Sequence, residues 1–101
     1  MKSDESLTWV MYDISDNKSR TRVAKMCKEA GLYRVQQSVF LGAMKANRLD
    51  ELAMEIEDRI DEDHDRVYIF PMCASDFKKV VLQGQAFDPD LVTDEVQSLF
   101  L

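Results

Sequence analysis

From Leu7 to Asp13 apolar residues fall on both parities, Leu7, Trp9 and Met11 on one and Val10 and Tyr12 on the other. Both faces of this segment are therefore apolar, which predicts a buried strand closing at Asp13. The period then changes to that of a helix. Ser15 or Asp16 can serve as its N-cap, Val23, Ala24, Cys27 and Ala30 run along one side, and Gly31 supplies the stop. Tyr33 to Met44 is a second β-prone run, long enough for two short strands broken near Gln37-Ser38. Asn47, with Asp50 three residues on, resembles a capping box for a second helix whose buried stripe is Leu49, Leu52, Ala53, Ile56 and Ile60. Arg66 to Phe70 predicts another strand, ended by Pro71, and Lys78 to Leu82 one more before Gly84.

This order of elements is that of an α+β, ferredoxin-like β-α-β-β-α-β sandwich with an additional C-terminal strand or tail. Two helices cover one face of such a sheet and leave the other bare. Because the strand at Leu7–Asp13 and Val67-Tyr68-Ile69-Phe70 are apolar on both sides, the bare face predicts a homodimer with two sheets face to face. The domain organisation expected is a loosely ordered N-terminal tail over 1–6, one domain over 7–87, and a C-terminal segment over 88–101. That last segment carries Leu91, Val92, Val96, Leu99, Phe100 and Leu101, so it is expected to dock on the dimer or a partner.

Charge changes the picture locally rather than globally. The net charge of −6 divides unevenly: residues 1–48 carry nine Lys/Arg and five Asp/Glu, and residues 49–101 carry four and fourteen. Every charged side chain from Asn17 to Lys28 is basic, namely Lys18, Arg20, Arg22, Lys25 and Lys28. Such a run suits phosphate contacts that neutralise a nucleic-acid backbone without reading its sequence. Asp13 stands at the mouth of the first strand beside this run, where a phosphate-bearing partner and a divalent cation could meet. The bland alternative is that Asp13 closes the strand and caps the next turn.

Other polar residues carry less. Asp16 reads as a helix N-cap before a metal ligand. Ser38 has no histidine partner in sequence and reads as a structural hydroxyl. His64 lies among Asp61, Glu62, Asp63 and Asp65 and reads as a solvated loop residue. Gln36 and Gln37 suit either a sugar or phosphate contact or a strand edge. Trp9, Tyr68 and Phe70 read as packing residues. Cys27 and Cys73 are isolated, which suggests neither zinc nor a disulfide framework and fits a reduced, cytoplasmic protein. The polar start and the short apolar runs predict no signal peptide and no membrane association.

Tyr12-Asp13-Ile14 at a strand end, Ala30-Gly31-Leu32 after a basic helix, Arg34-Val35-Gln36-Gln37-Ser38-Val39-Phe40, and Arg66-Val67-Tyr68-Ile69-Phe70-Pro71 together resemble the small CRISPR-associated Cas-two family. The resemblance spans about residues 7–82. It implies a ferredoxin-like homodimer that works with the Cas-one integrase in capturing DNA spacers for antiviral defence. It also implies a metal-dependent endonuclease acting on duplex DNA or single-stranded RNA, with Asp13 as catalytic residue and magnesium ligand and Mg2+ as cofactor. One Asp per chain is too few for such an ion, but a two-fold axis near the strand end would bring up a second copy. The alternatives are a purely structural scaffold for duplex DNA, or a ligand-sensing ferredoxin-like domain, for which the chain offers no phosphate-cradling loop.

Overall fold

The computed structural model describes residues 4–81 and 83. Gly84 and the segment 88–101 lie outside the described residues, as do Leu82 and residues 1–3 of the expected N-terminal tail. The order is β1 (Glu5–Asp13), α1 (Asn17–Glu29), β2 (Tyr33–Gln36), β3 (Val39–Lys45), α2 (Ala46–Glu57), β4 (Arg66–Met72) and α3 (Ala74–Phe77). The four strands form one antiparallel sheet in the order β2-β3-β1-β4. This is the expected ferredoxin-like arrangement, with the doubly apolar β1 at an interior position, paired on both sides. The long β-prone run breaks at Gln37-Ser38 as its composition predicts.

Helices α1 and α2 cover one face. Val10, Tyr12, Ile14, Phe40 and Met44 meet Val23, Ala24 and Cys27 of α1 and Leu52 and Ile56 of α2 in a closed core. Phe40, Val10, Val23, Leu52 and Ile56 lose essentially all contact with water, each contributing about 1.5–3 kcal/mol of hydrophobic stabilisation. Burial also pushes the Cys27 thiol up to about 12, so it packs as a small apolar group. At Gly42, opposite Thr8, a Cβ would come within 2.9 Å of Leu32 Cδ2 and 3.2 Å of Leu32 Cα. Only glycine lets the connection between α1 and β2 cross so close to β3.

The ends of α1 follow the sequence reading. The Asp16 carboxylate accepts from the Ser19 amide at 2.8 Å, and that bond holds its carboxyl below the usual range. At the other end Gly31 adopts φ +89°, with Gly31 N–H donating to Lys28 O and Leu32 N–H to Cys27 O, a Schellman stop that glycine makes without strain. The start of α2 differs from expectation. β3 runs to Lys45, which pairs with Glu5, and the chain enters the helix at Ala46, so Lys45 is the N-cap and has no capping side chain. Asn47 and Asp50 therefore fall inside the helix and form no capping box. Leu52 and Ile56 are buried as expected, and Leu49, Ala53 and Ile60 are half-buried.

Two further expectations are corrected around β4. The strand passes through Pro71 to Met72, because β4 is an edge strand among the described residues and an edge tolerates a missing N–H. The stretch from Lys78 to Val81 is not a strand. Cys73 to Val80 winds into turns instead, with Phe77 N–H donating to Cys73 O, Lys78 N–H to Ala74 O and Lys79 N–H to Asp76 O. This winding returns Phe77 to Trp9, their ring centroids 6.3 Å apart. The face away from α1 and α2 is consequently not bare along its whole length: Leu7, Trp9 and Leu41 are buried within the single chain. β1 also begins at Glu5, two residues before the apolar run, where Glu5 and Ser6 pair with Lys45 and Met44.

Candidate nucleic-acid and metal site

Asp13 is the last residue of β1 and lies opposite Arg66 of β4. The register from Leu7↔Met72 to Asp13↔Arg66 is unbroken, so alternation puts Asp13 on the face of Leu7, Trp9 and Met11, as parity predicts. Its side chain is exposed, and no hydrogen bond or ion pair with the described residues engages the carboxylate. Beside it opens a cleft of about 460 Å³. β1 supplies Asp13 and Ile14 to its wall, α1 supplies Arg20 and Thr21, and the β2–β3 hairpin supplies Arg34, Gln37 and Ser38.

Two guanidinium groups are fixed in that wall. Arg20 donates through Nη1 to Ile14 O at 3.2 Å and through Nη2 to Asn17 Oδ1 at 2.9 Å. Arg34 donates through Nε to Gln37 O at 3.2 Å and stacks over the Phe40 ring at 5.2 Å. Gln37 O also accepts from the Tyr12 hydroxyl at 3.4 Å. Burial raises the Tyr12 phenol, against the opposing pull of Arg34, so Tyr12 stays a neutral donor at physiological pH. Ser38 contributes its carbonyl, which accepts the Tyr12 amide at 3.1 Å.

The basic helix does not present one side. Lys18, Arg22 and Lys25 fall at i, i+4 and i+7 on the outer stripe of α1, a spacing that continues to Glu29. Arg22 and Lys25 line a separate groove with Met26, Glu29 and Glu55, and Lys25 Nζ lies 4.0 Å from Glu29 Oε1. Lys28 is exposed in the last turn. Of the five basic residues singled out in sequence, Arg20 alone lines the Asp13 cleft. Arg34 was missed as a site residue because it stands alone on β2, and its proximity arises from pairing with Phe40 across β3. The signal available was its place in the Arg-Val-Gln string.

The loop after Asp13 is tied on several sides. Arg20 holds Ile14 O, Asp16 holds the Ser19 amide, and Asp65 Oδ1 accepts from Ser15 N–H at 3.2 Å and from Ser15 Oγ at 3.4 Å. His64 sits in the same turn as Asp65 with its Nδ1 3.1 Å from Asp61 Oδ2, a solvated loop residue as expected. For magnesium the donor set within one chain is thin. Among the described residues no three His, Cys, Asp or Glu side chains gather into a metal-binding group. The cleft offers a single carboxylate with carbonyl and hydroxyl oxygens, so the residues fit a magnesium ion only if a second Asp13 shares it.

Taken together, a ferredoxin-like sheet, a strand-end carboxylate that no described residue engages and two anchored guanidiniums define a small protein with a cleft at one end of its sheet. The chain belongs to the family described as CRISPR associated protein Cas2, whose family model matches residues 6–80. It is 42% identical over 64 residues to the CRISPR-associated endoribonuclease Cas2 1 of Archaeoglobus fulgidus, covering 63% of this chain and 68% of that one. It is 39% identical over 71 residues to the CRISPR-associated endoribonuclease Cas2 of Desulforudis audaxviator, covering 70% and 67%. Among solved structures, a hypothetical protein of Thermus thermophilus superposes with a TM-score of 0.68 at 30% identity, over 79% of this chain and 92% of that one. Streptococcus pyogenes Cas2 superposes with a TM-score of 0.67 at 25% identity, over 77% and 99%. Among the described residues no helix is long and apolar enough to cross a membrane.

Proposed function

We propose that this protein is a cytoplasmic subunit of the CRISPR adaptation machinery that works as a homodimer with the Cas-one integrase, binds nucleic-acid backbone, and cleaves phosphodiesters with Mg2+ through Asp13. The observation that carries this reading is the Asp13 carboxylate, unengaged at the end of β1 and next to the anchored Arg20 and Arg34. Guanidiniums held by carbonyls and a ring keep free N–H donors for phosphate oxygens, so a backbone phosphate seated there lies against the carboxylate. The names of the related endoribonucleases support phosphodiester chemistry, and duplex DNA is the substrate that suits the outer stripe of Lys18, Arg22 and Lys25.

A second copy supplies what one chain lacks. The face that buries Leu7, Trp9 and Leu41 opens toward Asp13, where Met11 and Val39 are half-exposed and Tyr68 is 57% exposed. Docking of two copies through this open end brings two Asp13 carboxylates together near the two-fold axis. Two such charges repel unless they share a proton or a cation. The paired Asp13 carboxylates would hold a magnesium ion there, which would supply Lewis acidity and charge neutralisation at the phosphate oxygens. Hydrolysis would form a bond from a water oxygen to phosphorus and break the phosphorus–sugar oxygen bond, the proton lost by the water ending on the departing sugar oxygen, with Arg20 and Arg34 bearing the charge that grows on the phosphoryl group.

The second reading is a scaffold that holds duplex DNA while the integrase does the chemistry; the single carboxylate per chain favours it. Asp13→Asn separates the two, since Asn keeps the shape and loses the charge. With cleavage by Asp13, the purified dimer cuts RNA or DNA with Mg2+ and the variant does not, while folding, dimerisation and duplex affinity stay intact. If spacer acquisition in cells survives Asp13→Asn, the scaffold reading replaces the nuclease reading.

A further inference from the structure

The acidic turn between α2 and β4 reaches back to the strand end through one carboxylate. Asp61 organises the turn: its carbonyl accepts His64 N–H at 3.1 Å and Asp65 N–H at 2.8 Å, and its Oδ1 accepts Asp63 N–H at 3.0 Å. Asp65 Oδ2 returns a bond to Asp61 N–H at 2.9 Å. That leaves Oδ1 to accept from Ser15, 50 residues earlier, through both the amide and the hydroxyl. Ser15 is two residues beyond Asp13, and the next residue after Asp65 is Arg66, the register partner of Asp13. The start of β4 thus holds the end of β1 twice, once by backbone pairing and once by this carboxylate.

We propose that Asp65 is a positioning residue for Asp13: by clamping Ser15 to the turn before β4, it fixes the Ile14–Asp16 loop and with it the direction in which the Asp13 carboxylate points. This rests on Asp13 being the reactive carboxylate of the proposed function. The physical need is specific. A carboxylate at a strand's last residue has a rigid ladder on one side and a loop on the other, so the loop decides its orientation. The carbonyl of Ile14 is held by Arg20, which belongs to the wall of the cleft and would itself contact a phosphate seated there. The Asp65 bonds come from outside that wall, and they hold the loop whatever occupies the cleft. Outer partners of this kind matter to a metal-bearing carboxylate although they touch neither metal nor substrate.

The test uses the dimer of the proposed function with Asp65→Ala and Asp65→Asn. Asp65 is a half-buried polar side chain that belongs to neither apolar core, so neither variant empties a core position and both fold. Amide hydrogen exchange and 15N relaxation read the clamp with no substrate or metal present. Asp65→Ala should speed exchange at Ser15 and loosen Asp13 to Asp16 while Val10 in mid-strand keeps its protection; Asp65→Asn, whose one oxygen can still accept from Ser15 but not from Asp61 as well, should recover part of the wild-type order. In cleavage of duplex DNA with Mg2+, Asp65→Ala should lower kcat about tenfold, the lower end for loss of such an outer partner, with KM unchanged. Unchanged exchange at Ser15 in Asp65→Ala overturns the clamp. Loosened exchange with an undiminished kcat overturns the positioning of Asp13. Loosened exchange in a protein whose wild type does not cleave overturns the nuclease reading instead and leaves Asp65 as the clamp of that loop.

Discussion

The two faces of the sheet use similar residues to different ends. Under α1 and α2 the face is closed from Met44 to Ile14, and no large side chain of that core is left in water. On the opposite face closure is graded: Leu7, Trp9 and Leu41 are buried under the returning Phe77, Met11 and Val39 are half-exposed, and Tyr68 and Asp13 are exposed. The first face carries the stability of the fold. Among the described residues the second is closed only at one end, and its open end is where the Asp13 carboxylate and the cleft walled by Arg20 and Arg34 stand.

Emptying a position on the closed face should have the largest effect. Phe40→Ala removes a ring with no exposed surface, packed against Tyr12 at a 6.2 Å centroid distance and stacked under Arg34. Urea unfolding should show a loss of about 3–5 kcal/mol. The substitution should also disorder Arg34, so duplex binding measured under native conditions weakens with it. A loss below about 1 kcal/mol would mean that the helix-covered face is not the principal core.

At the open end the same kind of change should act on association instead. Tyr68→Lys should alter urea stability by no more than about 0.5 kcal/mol, as for other exposed positions. The weight-average mass in sedimentation should fall, with self-association weakened about tenfold or more, as for a charge placed in an apolar interface. A variant that remains dimeric at micromolar concentration would put the interface elsewhere.

Smaller effects should separate the basic residues of the outer stripe from those of the cleft. Lys18→Ala with Arg22→Ala should weaken duplex binding evenly across sequences and reduce the salt slope by about 0.9 for each phosphate that is no longer neutralised. Arg20→Ala should change that slope by no more than the share of a single phosphate and fall chiefly on cleavage. Equal slopes for the two variants would mean that stripe and cleft meet the same phosphates.

The smallest effect is in acid. Asp16 and Asp65 both titrate below the ordinary Asp value of 3.8, Asp16 chiefly through its bond to the Ser19 amide and Asp65 chiefly through its bond to the Asp61 amide. A lowered folded pKa means that the unfolded chain binds more protons, so their stabilising contribution is complete above pH 3.8 and is lost as pH falls through the folded values. Asp16→Asn keeps a capping oxygen but does not titrate. Its stability should therefore fall less steeply between about pH 4 and pH 2 than that of the wild type.

Much of this protein is decided by local chemistry, and that part is legible in the sequence. Alternation on both parities makes β1 an interior strand, the spacing of Val23, Ala24 and Cys27 sets the buried side of α1, Asp16 caps it, Gly31 stops it, and Gln37-Ser38 turns the hairpin. Asp13 was visible as a strand-end carboxylate for the same reason. The remainder depends on register and on residues distant in sequence. Asn47 has no capping role because the length of β3 sets where α2 begins. The strand expected at Lys78 is a turn because Phe77 gains more by covering Trp9 than by extending the chain. Helical twist sends Arg20 to the cleft and Lys18, Arg22 and Lys25 outward, which a run of like charges does not reveal. Arg34 and Asp65 reach the strand end only through the pairing of β2 with β3 and of β4 with β1, contacts that no local pattern encodes.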